Sequence, residues 1–430
     1  MKAGILSEPL RLPCGSVLKN RIAKASMTEG LAGGDNHANA RFTELYRRWG
    51  AGGAGLLITG NILADRWHLE RGGNLAIEGP QSNRAAAALA DLAKAAKAHG
   101  AQIWAQLNHA GRQTQKMINR RPKAPSHIGL KMGNGRFGTP IPLTIAEINT
   151  AIDAFVFAAK TVEKAGFDGV QMHAAHGYLV SQFLSPLSNR RDDDYGGSLE
   201  NRARFLLETV RSIRAASGKG FALSVKLNSA DFQQGGFSDD ESALVAQWLE
   251  EAGVDLIEVS GGNYEQPRMI DFERKDPLVA QKRSSTIRRE AYFLDFVPKL
   301  RQRVSIPVMV TGGFRSVSSM LQAVENDGVD VIGLGRPLVI DPDGASKILC
   351  GEVTRLVSRD NDLVIGNGLL GPRSPISFLR DLNAWGSLGW YYEHIYSLAD
   401  GKEPNLSLSA FRALLAYDRQ EGKTAKALIR

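Results

Sequence analysis

Eight short apolar segments alternate with longer amphipathic segments along this 430-residue chain. The apolar segments have the composition of strands and the longer ones the periodicity of helices, which is typical of a parallel sheet whose strands are joined by helices. The predicted strands are residues 21–27, 54–60, 101–107, 167–173, 221–227, 254–260, 307–313 and 329–335. Eight such units within about 350 residues fit a closed barrel better than an open doubly wound sheet. The sequence therefore predicts an α/β fold, a (β/α)8 TIM barrel.

The helical segments define the rest of the organisation. They are predicted over residues 38–49, 80–98, 145–164, 199–216, 239–252, 288–303, 316–326 and 342–350, and two begin with a capping box, Thr144 with Glu147 and Ser238 with Glu241. The alternation stops beyond residue 355, where an aromatic-rich segment follows at 382–396. We predict a barrel over residues 1–354 and a C-terminal helical extension over 355–430 that packs on it. The aromatic side chains of the extension are expected to pack rather than to cover an active site; they are Trp385, Trp390, Tyr391 and Tyr392.

Composition excludes several function classes. The 53 basic and 45 acidic residues give a net charge of +8, but the basic residues are dispersed and not interleaved with aromatics, which favours small phosphorylated ligands over nucleic acid. No run of about eighteen apolar residues predicts a membrane span, and the first residues are too polar for a signal peptide, so we expect a cytoplasmic protein. Cys14 and Cys350 are too few for a disulfide framework or a four-cysteine metal site within one chain.

Two glycine-rich turns predict a phosphate site. TGGF (311–314) ends the seventh predicted strand and GLGRP (333–337) ends the eighth, and each precedes a helix. In barrels these two loops commonly bind phosphate, because glycine lets backbone N–H groups approach the anion and Arg336 adds a forked cation. Either motif alone could be a tight turn. Their joint occurrence favours phosphate.

A third motif, HAAHGYLVSQFLSP (173–186), places His173, His176 and Tyr178 at the end of the fourth predicted strand. Strand ends carry the chemistry of barrel enzymes. A metal site lacks a third ligand, since only the aspartates at 192–194 follow, far along the loop, so no metal is predicted. A packed core pair is the plainer alternative. We favour two imidazole donors that converge on one substrate oxygen, with Tyr178 able to supply a proton.

Seven segments, in chain order, resemble the Old Yellow Enzyme family of NADH:flavin oxidoreductases, which are FMN-dependent ene-reductases. They are LKNRIAKASMT, AQLNHAGRQ, GFDGVQMHAAHGYLVSQFLSPLSNRRDDDYGGSLENRARF, VKLNSADFQQGGF, IEVSGGNYE, VTGGF and IGLGRPL, within about Leu12 to Asp341. The block over 166–205 is the most specific. The resemblance implies a non-covalently bound FMN over the barrel mouth, and hydride transfer from NAD(P)H to an activated alkene.

The resemblance assigns cofactor-binding roles to ten residues: Ser26, Met27, Thr28, Gly60, Gln106, Lys226, Gly312, Gly313, Gly335 and Arg336. It implies that Thr28 bonds the flavin O4, that Gln106 bonds the pyrimidine edge and that Gly60 leaves room beside the ring. Lys226 stands where many relatives have arginine, and either cation would stabilise negative charge on the reduced ring. Because lysine is a point charge without arginine's fork, the potential can differ.

The resemblance also implies the catalytic residues. His173 and His176 match the pair that holds the substrate oxygen in the two-histidine branch, and Tyr178 matches the proton donor. His109 and Arg112 we expect to be structural. The chain departs from the fused dienoyl-CoA-reducing members, since it has neither their cluster cysteines nor their length, and the segment after residue 355 does not match the short ene-reductases.

Three functions remain open at this stage. The first is ping-pong reduction of an enone-type small molecule by NAD(P)H. The second is an amine dehydrogenase or demethylase of the same family, which an aromatic cage around Tyr264 would indicate. The third is a flavin-free barrel, either a lyase or isomerase or a phosphate-ligand binder. The extension favours, without establishing, a homo-oligomer.

Overall fold

Eight parallel strands close into a barrel in the computed structural model, which describes residues 4–130, 135–262, 291, 293–360, 362–372 and 374–428. Each strand pairs with the next in chain order, and the first also pairs with the last. The strands are β1 Ile22–Lys24, β2 Leu56–Leu63, β3 Gln102–Asn108, β4 Gly169–Ala174, β5 Ala222–Asn228, β6 Leu256–Ser260, β7 Val308–Thr311 and β8 Val331–Leu334. The predicted (β/α)8 fold is confirmed, strand for strand.

Helices cover the outside of the barrel and continue beyond it. They are α1 Ala40–Ala51, α2 Asn83–Lys97, α3 Ile145–Lys164, α4 Leu179–Leu184, α5 Leu199–Ala216, α6 Asp239–Glu251, α7 Val297–Arg301, α8 Val317–Asn326, α9 Pro337–Ile340, α10 Gly344–Leu349, α11 Ser377–Ala399 and α12 Ala410–Lys426. Both predicted capping boxes are confirmed, at the starts of α3 and α6. The helix predicted over 288–303 lies partly outside the described residues; its described remainder is a 3₁₀ turn followed by α7.

The core has two parts, because strand side chains alternate between the two faces of the sheet. A small apolar cluster lies inside the barrel near the starts of the strands and is joined by leucines of the N-terminal hairpin, whose arms are Leu10–Arg11 and Val17–Leu18. A much larger cluster lies between the strands and the surrounding helices. This division leaves the carboxyl ends of the strands as the polar end of the barrel, where the predicted site residues lie.

The extension is helical and packs on the barrel. Its helix α11 contacts both α1 and α12, and the side chains of Trp390, Tyr391 and Tyr392 are buried, as predicted, while Trp385 is half-buried. Rings of the two helices stack, with the centroids of Tyr392 and Tyr417 5.2 Å apart. Among the described residues, no helix combines the length and the apolar character needed to cross a bilayer.

Candidate active site

Three aromatic side chains meet where β4 ends. His173 is the second-last residue of that strand, and His176 and Tyr178 lie in the tight connection to α4. The ring centroid of His173 is 4.9 Å from that of His176 and 4.8 Å from that of Tyr178, both at nearly perpendicular angles. His173 and Tyr178 are buried, and His176 is half-buried. The predicted triplet is thus a single cluster.

A backbone contact fixes the proton position on His173, and a serine hydroxyl contacts the ring of His176. Nδ1 of His173 accepts the N–H of Ala175 at 3.2 Å, so the neutral ring carries its proton on Nε2. His176 has a left-handed backbone, with φ +62°, held by its N–H to Asn228 Oδ1 at 3.1 Å. Its Nε2 lies 2.6 Å from Ser260 Oγ. Such a strained non-glycine position indicates a side chain aimed for function.

Both imidazoles are neutral at physiological pH. Burial lowers the pKa of His173 well below its usual value, and the charges of His176 and Lys226 lower it further. Burial and then Lys226 lower the pKa of His176 in the same way. Neutral rings keep an N–H donor without carrying a charge into the site. The cluster can therefore polarise an electron-rich oxygen.

A buried lysine and a glutamine line the mouth beside this cluster. Lys226, on β5, pairs in register with His173, and its ammonium lies 3.0 Å from a carboxylate oxygen of the buried Glu258, which leaves two of its three N–H donors without an acceptor in the described ranges. Gln106, on β3, accepts from Ser26 Oγ at 2.6 Å and donates to Gln171 Oε1 at 2.7 Å, which leaves one amide N–H free. Lys226 is a cation whose remaining donors are open to an anionic or carbonyl ligand.

The end of β1 packs tightly against β2. A Cβ added at Gly60 would lie 2.4 Å from the Met27 carbonyl oxygen and 2.6 Å from Thr28 Cα, so this position requires glycine whatever binds nearby. The Gly60 N–H donates to Glu29 Oε1 at 2.7 Å. The Thr28 hydroxyl donates to Glu70 Oε2 at 2.8 Å. The flavin contacts that the resemblance implies for Thr28 and Gly60 stay predictions.

A set of free backbone donors lies at the ends of β7 and β8. Gly312 and Gly313 have φ of +131° and +85°, a conformation that favours glycine. The backbone N–H groups of Gly312, Gly313, Gly335 and Arg336 donate to no acceptor in the described part of the chain. Unpaired N–H groups of this kind form an anion cradle. Together with Lys226, they fit a cofactor that carries a phosphate and an electron-rich ring.

The extension reaches the side chain of the cradle arginine. Asp360 accepts from Arg336 Nη1 at 2.6 Å, from Arg315 Nη2 at 2.9 Å and from the Tyr391 hydroxyl at 2.8 Å. Although burial raises the pKa of Asp360, the charges of Arg336 and Arg315 outweigh it and lower that pKa. Arg336 is therefore oriented by the extension, and its remaining N–H groups and the backbone donors are left open to an anion.

A second histidine cluster lies after the ends of β2 and β3 and contains residue types that bind metals. Its ring nitrogens, however, are not protonated as metal ligands would be. His68 Nδ1 lies 2.5 Å from Asp65 Oδ2, and the rings of His68 and His109 stack 4.3 Å apart. His68 Nε2 accepts the Lys123 N–H at 2.9 Å, and His109 Nδ1 accepts the Gly111 N–H at 3.1 Å. The ring protons therefore face Asp65, where a metal would need lone pairs. The cluster is a hydrogen-bonded carboxylate, and His109 is structural, as predicted.

Buried neutral histidines should make the protein less stable in mild acid. Burial lowers the pKa of His109 to about 4, and it also lowers the pKa values of His173, His176 and His394. Unfolded histidines gain protons near pH 6.5, so between about pH 6.5 and 4 the unfolded state binds more protons and stability falls as the pH falls. Each group contributes a slope of up to about 1.4 kcal/mol per pH unit.

Urea unfolding between about pH 7.5 and 5 measures this loss. The His109→Gln variant should reduce the slope of unfolding free energy against pH by the contribution of one proton, up to about 1.4 kcal/mol per pH unit. An unchanged slope in this variant would show that His109 titrates in the folded protein as it does in the unfolded one.

Several site residues were missed by the sequence analysis. Gln171 and Glu258 lie inside the barrel, and Ser260 contacts His176. Gln171 precedes His173 by two positions and Glu258 precedes Ser260 by two, which places each pair on the same, inward face of its strand. That alternation was the signal available. No sequence signal connects Asp360 to the mouth, because it comes from the extension.

The fold defines a class of protein, the (β/α)8-barrel enzymes, whose functional groups lie at the carboxyl ends of the strands. The family model described as "NADH:flavin oxidoreductase / NADH oxidase family" matches residues 6–353. The protein belongs to this family, the one that includes the Old Yellow Enzyme homologues. It is an FMN-dependent oxidoreductase that takes electrons from NAD(P)H.

Individual relatives agree with this assignment. NADH-dependent flavin oxidoreductase iliE of Hypocrea jecorina (strain QM6a) is 37% identical over 353 residues, which are 78% of this chain and 86% of that protein. The structure of an old yellow enzyme homologue from Zymomonas mobilis matches with a TM-score of 0.67 and 25% identity, over 83% of this chain and 95% of that one. Histamine dehydrogenase from Rhizobium sp. 4-9 matches in fold, with a TM-score of 0.71 and 24% identity over 94% and 55%.

Proposed function

We propose that the protein reduces an activated alkene, an α,β-unsaturated carbonyl compound or a similar acceptor, with electrons from NAD(P)H. The observation that carries this proposal is the contact of two neutral imidazoles and one phenol at the end of β4. Such a set donates hydrogen bonds to an oxygen on which negative charge develops and keeps a proton within reach.

The cofactor would be held by the residues whose donors are free. The backbone N–H groups of Gly312, Gly313, Gly335 and Arg336 suit its phosphate, and Lys226 suits the electron-rich side of its ring. When bound, FMN supplies a ring that accepts a hydride and passes it on. The chain itself supplies binding, orientation and charge stabilisation.

The two histidines divide one task. Nε2–H of His173 is a donor into the mouth, because its Nδ1 is taken by the backbone. On His176, Nε2 would accept from the Ser260 hydroxyl, and the proton would stand on Nδ1, which has no partner within the described ranges. Both donors can hold the acceptor oxygen, which makes the β-carbon of the alkene electrophilic. Tyr178 would then protonate the carbon next to the carbonyl.

Separate half-reactions test this proposal. The purified protein should absorb at about 450 nm, bleach when mixed anaerobically with NADH or NADPH, and recover when 2-cyclohexen-1-one is added. Double-reciprocal plots at several enone concentrations should be parallel. If no enone, nitroalkene or related acceptor restores the absorbance, the proposal is contradicted. If a simple amine bleaches the protein and a nicotinamide does not, the amine-dehydrogenase alternative is favoured.

A further inference from the structure

The mouth lysine is paired with a fully buried carboxylate that the proposed function has not used. Lys226 Nζ lies 3.0 Å from Glu258 Oε1, and the side chains of Lys226 and Glu258 are 5% and 0% exposed. This ion pair engages one of the three ammonium N–H groups, so the ammonium keeps the other two for another acceptor. The carboxylate therefore contributes charge and position without saturating the lysine.

Glu258 is itself fixed by a chain of hydrogen bonds across the barrel interior. Its Oε2 accepts from Gln171 Nε2 at 2.8 Å, and the same amide also reaches Ser224 Oγ at 3.2 Å. Gln171 Oε1 accepts from Gln106, which in turn accepts from Ser26. The chain links β6 to β4, β3 and β1, so each member is oriented by its neighbour.

A lysine has particular need of such a partner. Its ammonium is a point charge at the end of a four-carbon stem with several rotamers, whereas arginine presents a rigid planar fork. A fixed carboxylate on the adjacent strand restricts where that charge can lie. It also offsets the charge of the ammonium, because the pair is neutral overall.

We infer that Glu258 is a positioning residue that acts through Lys226 and sets the relative affinity of the protein for reduced and oxidised FMN, which rests on the FMN chemistry of the proposed function. Lys226 stabilises the negative charge that reduction adds to the cofactor. Glu258 offsets part of that stabilisation and holds the ammonium in place. The pair therefore tunes the cofactor potential, and Glu258 need not contact the cofactor.

The Glu258→Gln variant tests this role, because glutamine keeps the shape and the bond to Gln171 but removes the charge. Lys226 then becomes an uncompensated cation, so reduced FMN should gain at least tenfold in affinity relative to oxidised FMN. A tenfold change corresponds to about 30 mV for a two-electron couple. Anaerobic titration against a redox dye measures the cofactor potential without NAD(P)H or an alkene. The potential can therefore be measured even if the protein does not reduce enones.

The Lys226→Met variant shows whether Glu258 acts on the cofactor through Lys226 or directly. In Lys226→Met no ammonium is left at this position for Glu258 to act through, so adding Glu258→Gln should change the affinity ratio less than twofold. The double variant leaves no unpaired buried charge and guards against misfolding of the single ones. Asp255→Asn, at the opposite end of β6 and paired with Arg214, is the matched control and should leave the ratio unchanged.

Either of two results would overturn the inference. One is an unchanged affinity ratio in Glu258→Gln, which would make the carboxylate purely structural. The other is an equal shift with and without Lys226, which would mean that Glu258 acts by its own field.

Discussion

Replacement of Tyr178 by phenylalanine is expected to slow reduction of an enone by roughly 10²- to 10⁴-fold, which is the usual contribution of a positioned general acid. Reduction by NADH should stay within about threefold, because no proton from a side chain is needed to accept a hydride from a nicotinamide. Phenylalanine keeps the ring that packs 4.8 Å from the ring of His173, so the variant removes the hydroxyl and little else.

Anaerobic stopped-flow mixing measures each half-reaction separately. Tyr195→Phe is a matched control, since Tyr195 is also buried but its hydroxyl donates to Glu208 at 2.8 Å, on the loop and helix that follow α4. It should leave both rates unchanged. Burial and the hydrogen bond to Glu208 raise the pKa of Tyr195 to about 12, so this phenol stays protonated near neutral pH.

Two outcomes would refute the assigned role of Tyr178. Equal losses in both half-reactions would mean that the residue shapes the mouth instead of giving a proton. An unchanged rate of enone reduction would mean that water supplies the proton, and Tyr178 would then be a packing residue of the histidine cluster.

The architecture could be predicted because it depends on local patterns. Each strand is a short apolar segment bounded by turn residues, and each helix between strands shows a 3.6-residue period. The capping boxes at Thr144 and Ser238 are local too, since both partners lie within one helical turn. Strand ends converge in a closed barrel, so His173 and Lys226 could be placed at one mouth from sequence alone.

The partners of those residues could not be predicted, because they depend on register and on distant segments. Whether Glu258 meets Lys226 is decided by the pairing of β5 with β6, and shifting that register by one residue would turn the carboxylate outward. Asp360 meets Arg336 only once the extension has folded back on the barrel. Helical periodicity predicts that the extension has helices but not where it docks.

The docking of the extension on the barrel should depend on one buried ion pair far more than on the exposed ion pairs. Arg71, in the connection that follows β2, bonds Glu421 of α12, and the two side chains are 2% and 6% exposed. The guanidinium also lies 3.8 Å from the Tyr392 ring centroid and bonds the Tyr396 hydroxyl at 3.0 Å. A cation so enclosed by one carboxylate and several rings has no access to water.

Glu421→Gln is therefore expected to lower the unfolding free energy by about 3–5 kcal/mol, because it leaves Arg71 buried without a counter-ion. Urea unfolding measures this loss, and limited proteolysis should show the extension becoming accessible before the barrel. The control is Asp400→Asn, which removes an ion pair between the barrel and the same extension. In this pair Arg41 Nε lies 2.6 Å from Asp400 Oδ1, and the two side chains are 37% and 41% exposed. This substitution should cost less than about 1 kcal/mol.

The double variant Arg71→Met with Glu421→Met separates pairing from packing. Apolar side chains of similar length remove both charges, so most of the loss seen in Glu421→Gln should be recovered. If the double variant is as unstable as the single one, the stacking of Arg71 on the tyrosine rings holds the extension, and the carboxylate is secondary. If Glu421→Gln alone costs no more than Asp400→Asn, then the pair is not desolvated in solution and the extension docks chiefly through the apolar contacts of α11 with α1.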